Sequence, residues 1–259
     1  MPPSDFQAHV LRVISAQRSP QSHVAGGLAL NLDFARYSVD IDIFHGLADA
    51  VADTAEKDAR ALIAAGLSVE WRRRLPTFHS ALITGPDGQT IIDWAMDSDF
   101  RFFPAEPDER LGWRLHPFDL ATNKALAAAA RREPRDVIDL ITIHENQYPL
   151  SVVAWAAVAK DPGYSPLSLL DMIGRMARYR DEDLAALNMP DPPSAADLSM
   201  RLKTMLRVAE GFANAMPADR AGEVFLERGE VVQPDPDRLA SYEVRTATRS
   251  GIWPSADRT

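Results

Sequence analysis

The stretch VAGGLALNLDFARYSVDIDIF, residues 24–44, decides how this chain is read. It opens with the pair Gly26–Gly27, passes through a short apolar run, and ends in Asp40 and Asp42 with one isoleucine between them. In an extended strand successive side chains leave opposite faces, so Val39, Ile41 and Ile43 point one way and Asp40, Asp42 and Phe44 the other. The two carboxylates then share a face, roughly 6–7 Å apart at Cα. Like charges that close repel, and a cation between them keeps both ionised. With only oxygen ligands in view, Mg²⁺ or Mn²⁺ is expected, completed by water and substrate phosphate. A D-x-D pair is also common on exposed strands, so the neighbouring residues must decide.

A third acid is wanted on an adjacent strand, and Asp93 in TIIDWAM supplies it. Ile91, Ile92 and Trp94 suit a buried strand, so a charge among them needs a reason. Asp40, Asp42 and Asp93 together suit phosphoryl or nucleotidyl transfer from an NTP, with Asp93 as the base or its metal-bound equivalent. Gly26 and Gly27 let backbone amides approach phosphate oxygens, although a glycine pair alone is more often a turn. Arg36 and Ser38 stand just before the acidic strand, either to reach phosphate or an acidic partner, or as loop surface. His23, beside the glycine turn, is a weaker candidate for touching substrate. No dinucleotide fingerprint, P-loop, zinc H-E-x-x-H or G-x-S-x-G elbow is present.

Outward from this stretch, residues 5–18 read as an amphipathic helix, 23–25 as a short strand, 28–34 as a helix and 49–65 as an alanine-rich helix ended by Gly66. Extended segments follow at 67–75, 77–84 and 89–95, the last two joined by a GPDGQ hairpin turn. This predicts a small mixed sheet with helices packed on it. From about residue 119 the pattern turns helical: 119–132, a helix starting near Pro134, then 151–160, 166–177, 180–187 and 194–214, with PDPP at 190–193 as a break. The expected division is a catalytic domain over 1–115, a helical domain over 116–240 that completes the cleft, and a tail over 241–259 that is partly ordered.

A second polar cluster lies in DLATNKALAAAARREPRDVIDL, residues 119–140. Lys124 interrupts a small-residue helix, where it answers triphosphate charge or is simply solvated. Asp136 and Asp139 are three apart and share a helical face. Their ordinary roles are a first-turn acid that suits the helix dipole and a partner for Arg132 or Arg135.

The 259 residues suffice for one large domain or two modest ones. A formal charge of -9 argues against indiscriminate nucleic-acid binding, yet WRRRL at 71–75, Arg131–Arg132 and Arg135 are able to form a basic rim beside an acidic centre. Zero cysteines exclude disulfides and thiol chemistry and suit a cytoplasmic location. No apolar run is long enough for a membrane helix, and MPPSDFQAHV does not read as a secretion signal.

VAGGLALNL followed by ARYSVDIDIF resembles the first motif of nucleotidyltransferases of the DNA polymerase beta-like superfamily, specifically the AbiEii/AbiGii toxin family. NKALAAAARREPRDVIDL resembles that family's later lysine-containing helix and R-D-x-x-D-L segment. The resemblance covers about residues 20–145. It implies that Gly26, Gly27 and Ser38 meet triphosphate, that Asp40 and Asp42 bind metal with Asp93 as third carboxylate, that Lys124 contacts substrate phosphates, and that Asp136 and Asp139 belong to the later catalytic motif. It further implies an NTP-dependent, Mg²⁺- or Mn²⁺-using toxin of a toxin–antitoxin or abortive-infection system, with an RNA acceptor and an antitoxin protein as partners. Transfer to a small acceptor such as an aminoglycoside, or a catalytically inactive nucleotide-binding or interaction module, are the alternatives.

Overall fold

The computed structural model describes residues 3–34 and 36–249. They form two compact units, the first running to Leu120 and including Arg249, the second covering Ala121–Thr248.

The first unit is a mixed sheet carrying helices. Helix α1 (Asp5–Ile14) starts at a capping box, in which Ser4 Oγ accepts from the Gln7 amide and Gln7 Oε1 accepts from the Ser4 amide, each at 3.1 Å. Its spacing turns Phe6, Val10, Leu11 and Ile14 inward. Strand β1 (Ser22–Ala25) runs straight into the short helix α2 (Gly26–Leu30), a change of direction made with Gly26 at φ 65°. Strand β2 (Asp40–His45) alternates as its sequence requires, Ile41, Ile43 and His45 buried and Asp40, Asp42 and Phe44 half-buried. Helix α3 (Ala48–Ala64) ends at Gly66, whose φ of 84° is the left-handed stop that the sequence signals.

Strands β3 (Ser68–Leu75), β4 (Phe78–Gly85) and β5 (Gly88–Met96) follow as an antiparallel meander. The β4–β5 turn is closed by Gly85 opposite Gly88, leaving Pro86 and Asp87 as a two-residue loop. Short strands β6 (Phe100–Arg101), β7 (Glu106–Asp108) and β8 (Gly112–Arg114) were not foreseen, because two or three residues carry no readable alternation. The seven-stranded sheet has the order β3-β4-β5-β2-β1-β8-β7, with β2–β5 and β1–β8 parallel.

Behind the sheet, Arg18 and Asp58 form a wholly buried ion pair at 2.5 Å, and Trp94 Nε1 donates to the same carboxylate at 2.8 Å. This ties the chain after α1 to α3 and β5. Helix α4 (Pro117–Ala130) carries Asp119 in its first turn. Its buried carboxylate is a clamp, accepting the amides of Phe102 and Phe103, both at 2.9 Å.

The second unit is largely helical, with α5 (Pro134–Asn146), α6 (Leu150–Ala157), α7 (Pro166–Met176), α8 (Asp181–Ala185) and α9 (Ala195–Ala215). It also holds a small antiparallel sheet of β9 (Val224–Glu227), β10 (Glu230–Val231) and β11 (Glu243–Arg245), in the order β10-β9-β11. Trp155, Phe212, Met216 and Phe225 form a core there, and Trp155 Nε1 is satisfied by the Arg220 carbonyl at 3.1 Å. Of the segment expected as a tail, Glu243–Arg245 is paired in this sheet, while residues 250–259 lie outside the described residues. Among the described residues no helix is long and apolar enough to cross a membrane.

Candidate active site

The acidic face is built by strand register. Asp42 lies directly opposite Asp93 on the parallel pair β2–β5, and Asp40 opposite Ile91. Ser80 lies opposite Asp93 on β4, and Ala25 opposite Asp42 on β1. Residues directly opposite each other share a face, so Asp42 and Asp93 stand side by side on the face that Ile41, Ile43, Ile92 and Trp94 leave. Nothing in a sequence reports this non-local register; it follows from burying the alternate apolar residues of both strands.

The glycine pair has a steric reason. A Cβ on Gly26 would lie 1.8 Å from Asp42 Oδ2, and one on Gly27 would lie 2.6 Å from an Arg36 Nη and 3.1 Å from Ser38 Oγ. Gly26 therefore receives the aspartate and Gly27 receives the residues that lead into β2. Arg36 is buried rather than a surface loop residue, and its Nη1 donates to the Tyr37 carbonyl at 3.1 Å. Ser38 Oγ donates to Asp40 Oδ1 at 2.7 Å. The lead-in is pinned from outside by Gln7 Nε2 on the Ser38 carbonyl at 3.0 Å and by the Thr90 hydroxyl on the Val39 carbonyl at 3.2 Å. Gln7, Thr90 and Ser80 gave no signal in the sequence, since each acts only through the fold.

Burial pushes the Asp93 carboxyl above its ordinary pKa; a Ser80 hydrogen bond opposes this, the Asp40 charge adds to it, and Arg72 and Arg73 pull it back. Asp93 Oδ1 is buried with no hydrogen-bond partner. An orphaned carboxylate oxygen beside a second carboxylate is what a cation would satisfy. Among the described residues, however, no group of three or more His, Asp or Glu side chains converges into a metal site. The expected cage of Asp40, Asp42 and Asp93 is not preassembled, for a local reason: Ser38 engages Asp40, Ser80 engages Asp93, and Asp42 is seated on Gly26. Mg²⁺ commonly takes one or two carboxylates and draws its other oxygens from water and substrate phosphate, so the acids present fit that ion.

His23 is fully buried and bonded through Nδ1 to the Pro20 carbonyl at 3.2 Å. Burial, and secondarily Arg101, lower its pKa to about 3, so it is neutral at physiological pH. His45, also buried, is lowered to about 4 by desolvation and then by Arg18.

In the second unit Asp136 and Asp139 share a helical face as their spacing suggested, and both meet Lys124, which takes the place of the expected Arg132 or Arg135 partner of Asp139. Lys124 Nζ lies 2.8 Å from Asp136 Oδ1 and 3.0 Å from Asp139 Oδ2, and Arg131 Nε lies 2.7 Å from Asp136 Oδ2. Both aspartates are fully buried. Burial works against the Asp136 charge, but the Arg131 hydrogen bond and the Lys124 charge and hydrogen bond outweigh it and hold the pKa below the usual range. Arg132 donates to the Arg178 carbonyl and Arg135 lies 3.7 Å from Glu133.

No protein-family model matches the chain, and no curated protein matches it. Among solved structures it is similar to MenT4, a nucleotidyltransferase toxin from Mycobacterium tuberculosis H37Rv, at 16% identity and a TM-score of 0.56 over 83% of each chain. A protein from H. pylori with a provisional nucleotidyltransferase assignment is similar at 12% identity and a TM-score of 0.50, over 83% of this chain and 98% of that one. These likenesses show that the chain shares its fold, a mixed sheet carrying helices followed by a largely helical part, with those two structures.

Proposed function

We propose that the chain transfers a nucleotidyl group from an NTP to an acceptor hydroxyl. The observation that carries this reading is the register of Asp42 beside Asp93, with Asp42 seated on a glycine that tolerates no side chain. Asp40 and Asp42 would hold Mg²⁺ or Mn²⁺ with Asp93 alongside. The ion, when bound, supplies charge neutralisation for the phosphates and orients them. The backbone amides of the Gly26–Gly27 turn, together with the Arg36 and Ser38 side chains packed against it, receive triphosphate oxygens. Asp93, its basicity raised by burial, accepts the acceptor's hydroxyl proton. The freed oxygen bonds to the α-phosphorus, the bond from that phosphorus to the bridging oxygen breaks, and pyrophosphate leaves.

RNA is the acceptor in this reading, and the setting is a cytoplasmic toxin paired with an antitoxin protein; MenT4, whose fold the chain resembles, is a nucleotidyltransferase toxin. Lys124, Asp136 and Asp139 serve as the charged brace of the helical unit. The test is incubation of the chain with each α-labelled NTP, Mg²⁺ or Mn²⁺, and total RNA. Labelled RNA is expected from the wild-type chain and none from Asp42→Asn. Label confined to small aminated sugars overturns the RNA acceptor, and absence of both NTP binding and transfer with either metal overturns the enzymatic reading.

A further inference from the structure

Strand β3 carries Arg72, Arg73 and Arg74 in succession, and the sheet sorts them onto different faces. Arg74 stands opposite His79, which stands opposite Trp94, on the face away from the acids. It pairs with Glu56, and its guanidinium lies 4.8 Å from the Trp71 ring centroid. Arg73 instead stands opposite Ser80, which stands opposite Asp93, which stands opposite Asp42. One straight row therefore crosses four strands as Asp42, Asp93, Ser80, Arg73. The pairing slips between Trp71 and Arg73, so Arg72 is the extra residue of a β-bulge at the end of that row.

Arg72 and Arg73 are exposed, and among the described residues neither has an ion-pair partner. Both act on the charge of Asp93. The flanking rows are mainly apolar. Phe44, Ala95, Phe78 and Leu75 run along one side; along the other, Ile91 and Leu82 lie between Asp40 and Glu70, all half-buried or exposed. An acceptor laid along the middle row has its hydroxyl at Asp93 and its body over Ser80. It meets Arg73 two strand spacings away, about 10 Å at Cα. A cation at that distance, beside an apolar row that suits flat rings, matches a chain of bases joined by phosphates. A cationic aminoglycoside would meet like charge at the same place.

We propose that Arg73, with Arg72 beside it in the bulge, binds the phosphodiester backbone of an RNA 3′ end and so presents its terminal hydroxyl to Asp93. This rests on the nucleotidyl-transfer reading and names the acceptor side of that site. Arg73 acts as a positioning and specificity residue that leaves NTP binding alone.

Binding is tested apart from turnover. Full-length chain carrying Asp42→Asn is titrated into a fluorescent single-stranded RNA oligonucleotide and followed by anisotropy at several salt concentrations. Adding Arg73→Gln should weaken binding about tenfold and reduce the slope of log K against log salt by about 0.7, the loss of one single-strand phosphate neutralised. Arg74→Gln, one residue along but on the other face, should change neither. In the otherwise wild-type chain Arg73→Gln should raise the RNA KM and leave the NTP KM unchanged. Equal RNA affinity with and without Arg73 overturns the proposal, as does an Arg74→Gln loss as large as that of Arg73→Gln. Failure of the wild-type chain to transfer label from any NTP overturns the catalytic reading instead, and the anisotropy result is read separately from it.

Discussion

Gly26→Ala separates the two demands made on that residue. Its φ of 65° lies in the left-handed region, where an added Cβ costs about 1–2 kcal/mol. The same Cβ would lie 1.8 Å from Asp42 Oδ2 and 2.6 Å from Asp42 Cγ, so the carboxylate must swing away. Removing one preorganised electrostatic group from a transition state typically costs about 10²–10³ in rate. Gly66→Ala is the built-in control: its φ is 84°, yet nothing lies within 4 Å of the new Cβ. Both variants should lose about 1–2 kcal/mol, which at this chain size lowers Tm by about 2–4 °C per kcal/mol. Only Gly26→Ala should also lose transfer, by about 10²-fold or more, measured as incorporation from α-labelled NTP beside a thermal melt of each protein. A folded Gly26→Ala protein that transfers at the wild-type rate would refute the seating of Asp42 on Gly26 as a catalytic requirement.

Other perturbations probe the rest of the molecule. Lys124→Met strips the ammonium from two fully buried aspartates and should cost about 3–5 kcal/mol in urea unfolding; unchanged stability would sink the brace. Asp119→Ala leaves the buried Phe102 and Phe103 amides without their carboxylate, at about 1–3 kcal/mol each, and a melt matching wild type would contradict the clamp. The buried neutral histidines set an acid limit. Their folded pKa values, about 3 for His23 and about 4 for His45, lie below the ordinary 6.5. Their stabilisation is therefore complete above pH 6.5 and lost as pH falls toward those values. Each should remove about 2 kcal/mol by pH 5. His23→Gln should flatten the pH 5 to pH 7 difference by that amount, and an unaltered difference would show that His23 does not titrate on unfolding.

The first half of the fold was legible where alternation ran long enough. The D-x-D strand, the α3 helix with its glycine stop, and the β4–β5 hairpin all carry periodic apolar residues and turn chemistry in one local stretch. Strands of two to four residues, from β6 to β11, do not, and they are held by partners far along the chain. At the site, the acids were readable as residue types, whereas the pairing of Asp42 with Asp93 depends on parallel register. Arg36 read equally as a phosphate-reaching side chain or as loop surface, because its burial against Gly27 is a packing event. Asp136 and Asp139 were readable as a pair by their helical spacing, but not their buried ion cluster with Lys124, which comes from a different helix.

Among the described residues strand β3 pairs only with β4 in its sheet, so its outer amides and carbonyls form the kind of rim that recruits another strand. Three adjacent cations and a kink at Arg72 spoil that rim for a second copy of the same chain, since like charges would be stacked along the new seam. A chain with all three arginines changed to threonine keeps a strand-forming sequence and gains a smooth, uncharged border. Light scattering should then report concentration-dependent self-association where the natural sequence stays dispersed.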